Sequence, residues 1–372
     1  MKRIVAQTLL LLLPFCLLFE AEEARDGVDA LLGTVDLSEW DAWFSKEAPD
    51  VPFRPSDFIR TLAGMEEEPD GERFFERALA FALPSVKAAA AKLILFLGLA
   101  VLASVLHGVH APTSGSETAE TAFRFAVSCL VLTSIVSEIT TVYRLLGRIR
   151  ALSEWMLPVL LGFLTLGGME HTAGALTSAF TLLSGGAIRL LRDAAAPLCC
   201  IGGVLLSFDA CAAGRLASIG RLFLRAAKWM LVLISGGYGL LNAVRGAAAA
   251  SADGLLLRTT RFALGSFPVV GGVVSDSVDT ALQCLLFVKN TLGVGGAVLI
   301  LLLCAKPVLT VFLTRCALRI ASAVGEPLSG KPYADLLRGL GDALHVLMLT
   351  EVAAVSMALI AVSPVFLTGG LA

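Results

Sequence analysis

Apolar runs long enough to enter a bilayer recur from about residue 93 to the end of this chain, separated by short polar or basic turns. A helix needs about 20 mostly apolar residues to cross a membrane, and such a helix satisfies every backbone N–H and C=O internally. The chain is 56% hydrophobic and only 16% charged, with a mean hydropathy of +0.81, whereas an average soluble domain has about 25% charged residues. The sequence therefore predicts an all-α, polytopic integral membrane protein.

We expect six or seven membrane crossings, with some short or re-entrant helices. The apolar runs cover residues 93–109, 125–142, 155–168, 172–188, 194–207, 230–244, 292–324 and 342–367, and the 292–324 run is interrupted at Lys306-Pro307. Runs of about 10 to 14 apolar residues are more typical of re-entrant or interfacial segments than of crossings. We therefore expect residues 194–207 and 294–304 to enter the membrane and return. The basic amphipathic segment 214–228 predicts a helix lying on the membrane surface.

Charge divides the chain into two unequal parts. Residues 20–77 hold 17 of the 31 acidic residues against six basic ones, whereas the remainder from residue 78 is basic, with 21 basic and 14 acidic residues. Such an asymmetry indicates a solvated acidic region followed by a membrane region with basic loops. We accordingly divide the chain into a signal peptide (1–21), an acidic exported helical region (22–86) and a multi-pass helical domain (87–372).

The first 21 residues have the order of a secretory signal peptide. Lys2-Arg3 precedes an apolar run over residues 9–19, which then meets the acidic region abruptly. That run is too short for a comfortable crossing of about 20 residues. We expect a cleaved signal, with an uncleaved anchor as the alternative. The acidic region that follows is either a small solvated helical region or a docking surface for another protein outside the membrane.

The basic clusters give conflicting information on orientation. The positive-inside rule places residues 144–150 and 215–228 on the cytoplasmic side. An exported N-terminal region followed by two crossings would place residues 144–150 outside. Either the 93–109 segment does not fully cross, or the N-terminal region is not exported.

A polar, glycine-rich and proline-bent stretch at residues 262–296 interrupts the apolar sequence. Its distinctive residues are Pro268, Gly271, Gly272, Asp276, Asp279, Lys289 and Asn290. One interpretation is that the glycines form a turn and the two aspartates cap the helix that follows, where negative charge suits the helix dipole. The other is that the aspartates line a polar centre or pair with a nearby cation, because charge inside a membrane is costly and usually functional.

Two further charged residues lie inside the later apolar runs. Lys306 precedes Pro307 and would reach the membrane surface from the start of a half-helix. Glu351 lies nine residues into the last run, about 12 to 14 Å from its start. We expect Glu351 to lie within the bilayer and to form an ion pair with Arg315 or Arg319, and a structural pair is favoured over a transport role.

The sequence contains no familiar enzyme signature, neither His-Glu-x-x-His, nor Gly-x-Ser-x-Gly, nor a phosphate-binding Gly-x4-Gly-Lys-Ser/Thr. Eight cysteines lie mostly in apolar runs without a Cys-x-x-Cys pair, which is typical of free buried thiols. We therefore predict no catalytic residues, no cofactor, no metal site and no nucleic-acid partner. The recurrent glycine pairs indicate close approach of helix backbones.

Several short motifs taken together resemble the stage III sporulation protein AE family of endospore-forming bacteria. They are Ser251-Ala-Asp253, Arg258-Thr-Thr-Arg-Phe262, Pro268-Val-Val-Gly-Gly272, Ser275-Asp276, Asp279-Thr280, Lys289-Asn290, Gly293 and Glu326-Pro327-Leu328. The resemblance is strongest over about residues 235–328. The N-terminal signal, the acidic exported region and the multi-pass remainder are similar to the layout of that family.

The resemblance implies a role that composition does not reveal. Members of this family are membrane proteins of the mother cell that act with other stage III membrane proteins. With a forespore membrane partner, that set forms a channel across the two membranes around the forespore. We therefore expect a non-enzymatic, permease-like component of this complex. A stand-alone secondary transporter of an unknown small solute is the alternative, because broken helices and Glu351 would suit it equally.

Overall fold

The computed structural model describes residues 38–47, 56, 71–109, 114–166, 168–209, 215–265 and 271–367, and every regular element in these ranges is helical. The long helices follow the apolar runs of the sequence. The helices are α1 (Ser38–Glu47), α2 (Gly71–Val109), α3 (Ser114–Leu166), α4 (Glu170–Phe208), α5 (Ala217–Gly265), α6 (Gly271–Ser329) and α7 (Lys331–Leu367). The prediction of an all-α polytopic protein is confirmed. The predicted signal peptide lies outside the described residues.

Five helical stretches in the described part of the chain are long and apolar enough to cross a membrane. They are Ala80–Val105, Arg124–Leu166, Glu170–Phe208, Gly293–Ser329 and Lys331–Val365. The sequence also predicted a crossing at 230–244, in α5. That apolar run is only 16 residues long between Lys228 and Arg245, or about 24 Å, which is shorter than a hydrocarbon core of about 30 Å.

Helix α7 forms the centre of the molecule, because it packs against α3, α4, α5 and α6. Of its most apolar 18-residue window, 61% is buried inside the protein, against 22% to 44% for the other four candidate spans. Most of α7 is buried, whereas a stripe that includes Asp342, His345 and Leu349 is partly exposed. Side chains on α7 therefore meet neighbours from most of the bundle.

Helices α2 and α6 run in the same direction and share a long seam. Ser85 bonds Thr310 at 3.0 Å near its start, and the side chain of Ala100 lies beside Gly325 near its end. On α2, the residues facing this seam are spaced three, four or seven apart and are buried, as in Ser85, Ala89, Phe96, Ala100 and Ala103. That spacing places them on a single stripe of the helix.

Helix α4 is continuous but irregular. It contains two π-helical stretches, Leu182–Ala187 and Leu191–Ala195, before it continues to Phe208. Tyrosines from neighbouring helices donate to carbonyls in this region: Tyr238 to Ala179 at 3.1 Å and Tyr143 to Arg192 at 3.0 Å. A π-helical turn disturbs the regular bonding of a helix, and these hydroxyls supply partners for its carbonyls.

The turn between α3 and α4 depends on Gly168, which has a φ of 68°. Its N–H donates to the carbonyl of Thr165 at 3.1 Å, and that of Met169 donates to Leu164 at 2.9 Å. These two bonds form a Schellman motif, with buried Met169 and Leu164 as its hydrophobic contact. A residue with a side chain is strained at this φ, whereas glycine is not.

Helices α4 and α5 approach most closely at Gly202 and Gly220. A Cβ at Gly202 would lie 2.8 Å from Leu224 Cδ2 and 3.1 Å from the carbonyl oxygen of Gly220. The predicted role of glycine pairs in close packing is thus confirmed at this crossing. It does not hold at Gly236, where a Cβ would meet nothing within 4 Å.

Three breaks that the sequence predicted are absent from these helices. Residues 144–150 lie inside α3, residues 194–207 continue α4, and α6 runs through Lys306-Pro307. Leu145, Leu146 and Ile149 between the arginines are buried, so the basic cluster covers one face of a packed helix. A continuous helix keeps its backbone hydrogen bonds, which matters most where water is scarce.

Candidate functional site

Charged side chains from three helices meet inside the bundle. Lys92 on α2 donates to Glu138 Oε1 on α3, and also to Thr314 Oγ1 on α6 at 3.3 Å. Thr314 in turn donates to the same Glu138 oxygen at 3.1 Å. The Glu138 side chain is 2% exposed and that of Lys92 is 22% exposed. The three groups form a closed hydrogen-bonded cluster that ties α2, α3 and α6 together.

Glu351 on α7 completes this cluster, and we call Lys92, Glu138, Thr314 and Glu351 the polar centre. Glu351 is fully buried, and neither of its carboxylate oxygens has a hydrogen-bond partner. It lies near enough to Glu138 for the two carboxylates to interact electrostatically, and Cys304 on α6 is a further neighbour. The second oxygen of Glu138 is also unpartnered. The polar centre thus contains two carboxyl groups and one ammonium group.

The polar centre lies deep within the candidate membrane spans. Asp342, at the charged end of α7, is half exposed and pairs with Arg319 at 2.7 Å. Glu351 follows it by nine residues, which corresponds to about 14 Å along the helix. The hydrocarbon core of a bilayer is about 30 Å thick. If Asp342 lies at the membrane surface, Glu351 lies close to the midplane.

The charged end of the bundle surrounds a cavity of about 500 Å³ between α3, α4, α5 and α7. Asp209 in its wall accepts hydrogen bonds from the N–H groups of Leu216 and Ala217, at 2.8 and 2.7 Å. Arg338, also in the wall, pairs with Glu326 and Asp335. These acids therefore accept hydrogen bonds from backbone N–H groups or form ion pairs. Both acidic and basic side chains line the cavity.

The structure places the residues predicted from the polar stretch on α6, apart from Pro268, which lies outside the described residues. Gly271 and Gly272 are the first residues of that helix, so they do not form a separate turn before it. Asp276 and Asp279 lie beyond its first turn, where they are too far along to be N-caps. The side chains of these two and of Lys289 and Asn290 lie outside the described part, so their predicted polar role stays a prediction.

The structure corrects the predictions for Lys306 and for the partner of Glu351. Lys306 does not begin a half-helix, because α6 continues through Pro307. Its carbonyl accepts a hydrogen bond from Thr310 at 2.8 Å. Glu351 is buried as expected, but it does not pair with either predicted arginine. Arg319 binds Asp342, and Arg315 Nε has no hydrogen-bond partner.

Sequence reasoning missed Lys92, Glu138 and Thr314. One signal could have revealed Glu138, because it is the sole charged residue in the apolar run 125–142. An isolated acid within a membrane span usually faces the protein interior and a partner. Nothing in the local sequence pairs it with Lys92, which precedes it by 46 positions. Among the described residues, no three His, Cys, Asp or Glu side chains are grouped as a metal site would require.

The comparison with known families decides what kind of protein this is. The model of the family described as stage III sporulation protein AE matches residues 53–369. The chain belongs to this family. The match includes all five candidate membrane spans and the whole polar centre.

A curated relative, the stage III sporulation protein AE of Bacillus subtilis (strain 168), is 37% identical over 95 residues. This alignment covers 25% of the present chain and 24% of the relative. No solved structure matches the chain. Membership of this family indicates that this multi-pass membrane protein has a role in sporulation.

Proposed function

We propose that this protein is a membrane component of a multi-protein channel that links the mother cell and the forespore during endospore formation. The observation that carries the proposal is the family match over residues 53–369, which includes the five candidate membrane spans. Its partners would be the lipid bilayer, other stage III membrane proteins of the same complex and a protein of the forespore membrane. Its location would be the mother-cell membrane around the forespore.

Helix length supports a role within an assembly. Helices α3, α5 and α6 contain 53, 49 and 59 residues, and helices of these sizes are about 80, 74 and 89 Å long. A bilayer is only about 40 to 45 Å thick with its headgroups. Any of these helices that crosses must also extend beyond the membrane, where it can contact other subunits.

The N-terminal part of α6 contains Asp276, Asp279, Lys289 and Asn290, which carry much of the family resemblance. Because α6 is about twice as long as a bilayer is thick, we assign this part the contact with other proteins of the complex.

The proposed role requires no catalysis. The alternative is a stand-alone secondary transporter, which the buried carboxyl pair Glu138 and Glu351 favours. Transporters often hold ionisable side chains at the membrane midplane. The two functions differ in whether the protein moves solute without other subunits.

The test combines sporulating cells with purified protein. A photoactivatable residue at Leu255, which is 70% exposed on α5, should crosslink to other stage III membrane proteins. The matched position Leu337 on α7 is fully buried and should give no intermolecular product. A fluorescent fusion should collect in the membrane around the forespore, and deletion of the gene should block spore formation.

Normal spore formation after the deletion would overturn the proposal. Purified protein in liposomes should carry no solute by itself. Solute uptake driven by an ion gradient in such liposomes would favour the transporter instead.

A further inference from the structure

We propose that Glu351 is a proton-binding site inside the membrane, near the ion pair that Glu138 forms with the Lys92 ammonium group. This inference does not depend on the channel role. It assigns a ligand, the proton, to a group of residues that the family match leaves without one.

The charges of the polar centre do not balance unless one carboxyl group is neutral. Glu351 is fully buried and Glu138 is 2% exposed, and both lie within candidate membrane spans. A single ammonium group, that of Lys92, bonds to Glu138. An unpaired carboxylate away from water costs several kcal/mol or more. A proton on Glu351 removes this cost, since the centre then contains one cation and one anion.

The hydrogen bonds identify which carboxyl group carries the proton. Glu138 Oε1 accepts bonds from Lys92 and from Thr314, so this carboxyl group already has a cation and a hydroxyl as partners. Neither oxygen of Glu351 accepts a bond. Thr350 beside it donates to the carbonyl of Val346 instead, at 3.0 Å. The negative charge therefore belongs on Glu138 and the proton on Glu351.

The ionisable groups around Glu351 come from three neighbouring helices. Helix α3 contributes Glu138, whose charge repels a carboxylate at Glu351. Helix α2 contributes Lys92, which is bonded to Glu138, and α6 contributes the buried thiol of Cys304, near Arg148 of α3. Among the described side chains, α4 and α5 contribute no charge that acts on Glu351. No cation here offsets a negative charge on Glu351 directly.

A proton suits this site better than a metal ion. A hard cation such as Mg²⁺ or Ca²⁺ takes six or more oxygen ligands, and Na⁺ likewise needs several. The described residues contain no group of three or more His, Cys, Asp or Glu side chains that could hold such an ion. A proton needs only one of the Glu351 carboxyl oxygens.

The first test uses the unaltered protein in liposomes and a hydrophobic carbodiimide, a reagent that reacts with protonated carboxyl groups in membranes. An ordinary glutamate with a pKa of about 4.3 is protonated in about one molecule in 500 at pH 7. We expect peptide mass spectrometry to find Glu351 labelled at least about tenfold more than Glu326, a half-exposed glutamate paired with Arg338.

The outcomes separate the possible ligands. Labelling at Glu351 that is insensitive to Na⁺ at constant pH supports the proton site. Protection by Na⁺ would show a metal-ion site and overturn the proposal, as would labelling at Glu138 alone or no labelling at either residue. None of these results bears on membership of the channel complex, which the crosslinking experiment tests separately.

The second test uses infrared spectroscopy on the unaltered protein and on E351Q and E138Q variants. At pH 7 the carbonyl stretch of a protonated carboxylic acid, which shifts in heavy water, should be present in the unaltered protein. It should be lost in E351Q. Glutamine has the shape of the neutral acid, so E351Q should fold and keep its melting temperature at pH 7. A band that persists in E351Q but disappears in E138Q would place the proton on Glu138 and contradict the assignment.

Discussion

Asp253 Oδ2 accepts a hydrogen bond from the backbone N–H of Thr172 at 2.7 Å, so a side chain of α5 caps the first turn of α4. Its other oxygen accepts from the N–H of His171 at 3.2 Å. Met169, the residue before α4, provides no side-chain cap of its own. The cap for α4 therefore comes from a residue more than 80 positions away, and Asp253 is only 1% exposed.

Removal of this cap should destabilise the protein. In a D253A variant two backbone N–H groups, one of them on buried Thr172, lose their acceptor, which costs about 1 to 3 kcal/mol. The matched control is D335A, because Asp335 is 67% exposed and such changes usually alter stability by less than about 0.5 kcal/mol. Thermal unfolding in nanodiscs should show a lower melting temperature for D253A alone. Equal melting temperatures for the two variants would contradict the capping role.

Loss of Lys92 should be more damaging than loss of the whole ion pair. A K92M variant leaves Glu138 buried without its cation, and breaking a buried pair in this way costs about 3 to 5 kcal/mol. The double variant K92M/E138Q removes both charges and should regain most of the lost stability. Denaturant or thermal unfolding of the two variants measures the difference. If K92M/E138Q is no more stable than K92M, the pair is not what holds α2 against α3.

The crossing of α4 and α5 should tolerate no side chain at Gly202. In G202A the new methyl group would overlap Leu224 and approach the Gly220 carbonyl, and overpacking of this kind costs about 1 to 3 kcal/mol. The same change at Gly236 meets open space and should be neutral or stabilising by about 0.5 to 1 kcal/mol, because alanine favours helix more than glycine does. Opposite shifts in melting temperature are expected. A stable G202A variant would show that the helices can separate there without cost.

The hydroxyl of Tyr333 should contribute measurably to the attachment of α7 to α2. It donates to the backbone carbonyl of Phe96 at 2.6 Å, and both residues are buried. A Y333F variant keeps the ring and removes only this bond, which should cost about 1 kcal/mol. Tyr143 bonds to a carbonyl in a more exposed place, so Y143F provides the control and should cost less. A larger effect for Y143F would reverse this ranking of the two bonds.

Local sequence was sufficient for the class of fold and insufficient for where each helix begins and ends. The composition and the apolar runs correctly predict a polytopic helical protein, because the lipid environment leaves few alternatives. The same reasoning placed breaks at residues 144–150 and at Lys306-Pro307, where the structure has continuous helices. Charge and proline indicate a local cost, and packing against neighbouring helices can offset it.

The candidate site shows a similar division. Sequence reasoning found Glu351, since an acid far inside an apolar run is visible without a structure. It assigned Glu351 the wrong partners, because Arg315 and Arg319 lie toward the charged end of α6, where Arg319 meets Asp342. Its prediction for Asp276, Asp279, Lys289 and Asn290 concerns side chains outside the described part and stays a prediction.

The sequence by itself determined that this chain spans a membrane, that it is helical and that it resembles a sporulation family, because these properties follow from composition and local motifs. Only the tertiary structure decided that Lys92, Glu138, Thr314 and Glu351 meet in one place. These four residues lie on four helices, and their separation along the chain spans more than 250 positions. Helix packing sets which faces touch, and a periodic apolar pattern does not specify its neighbours.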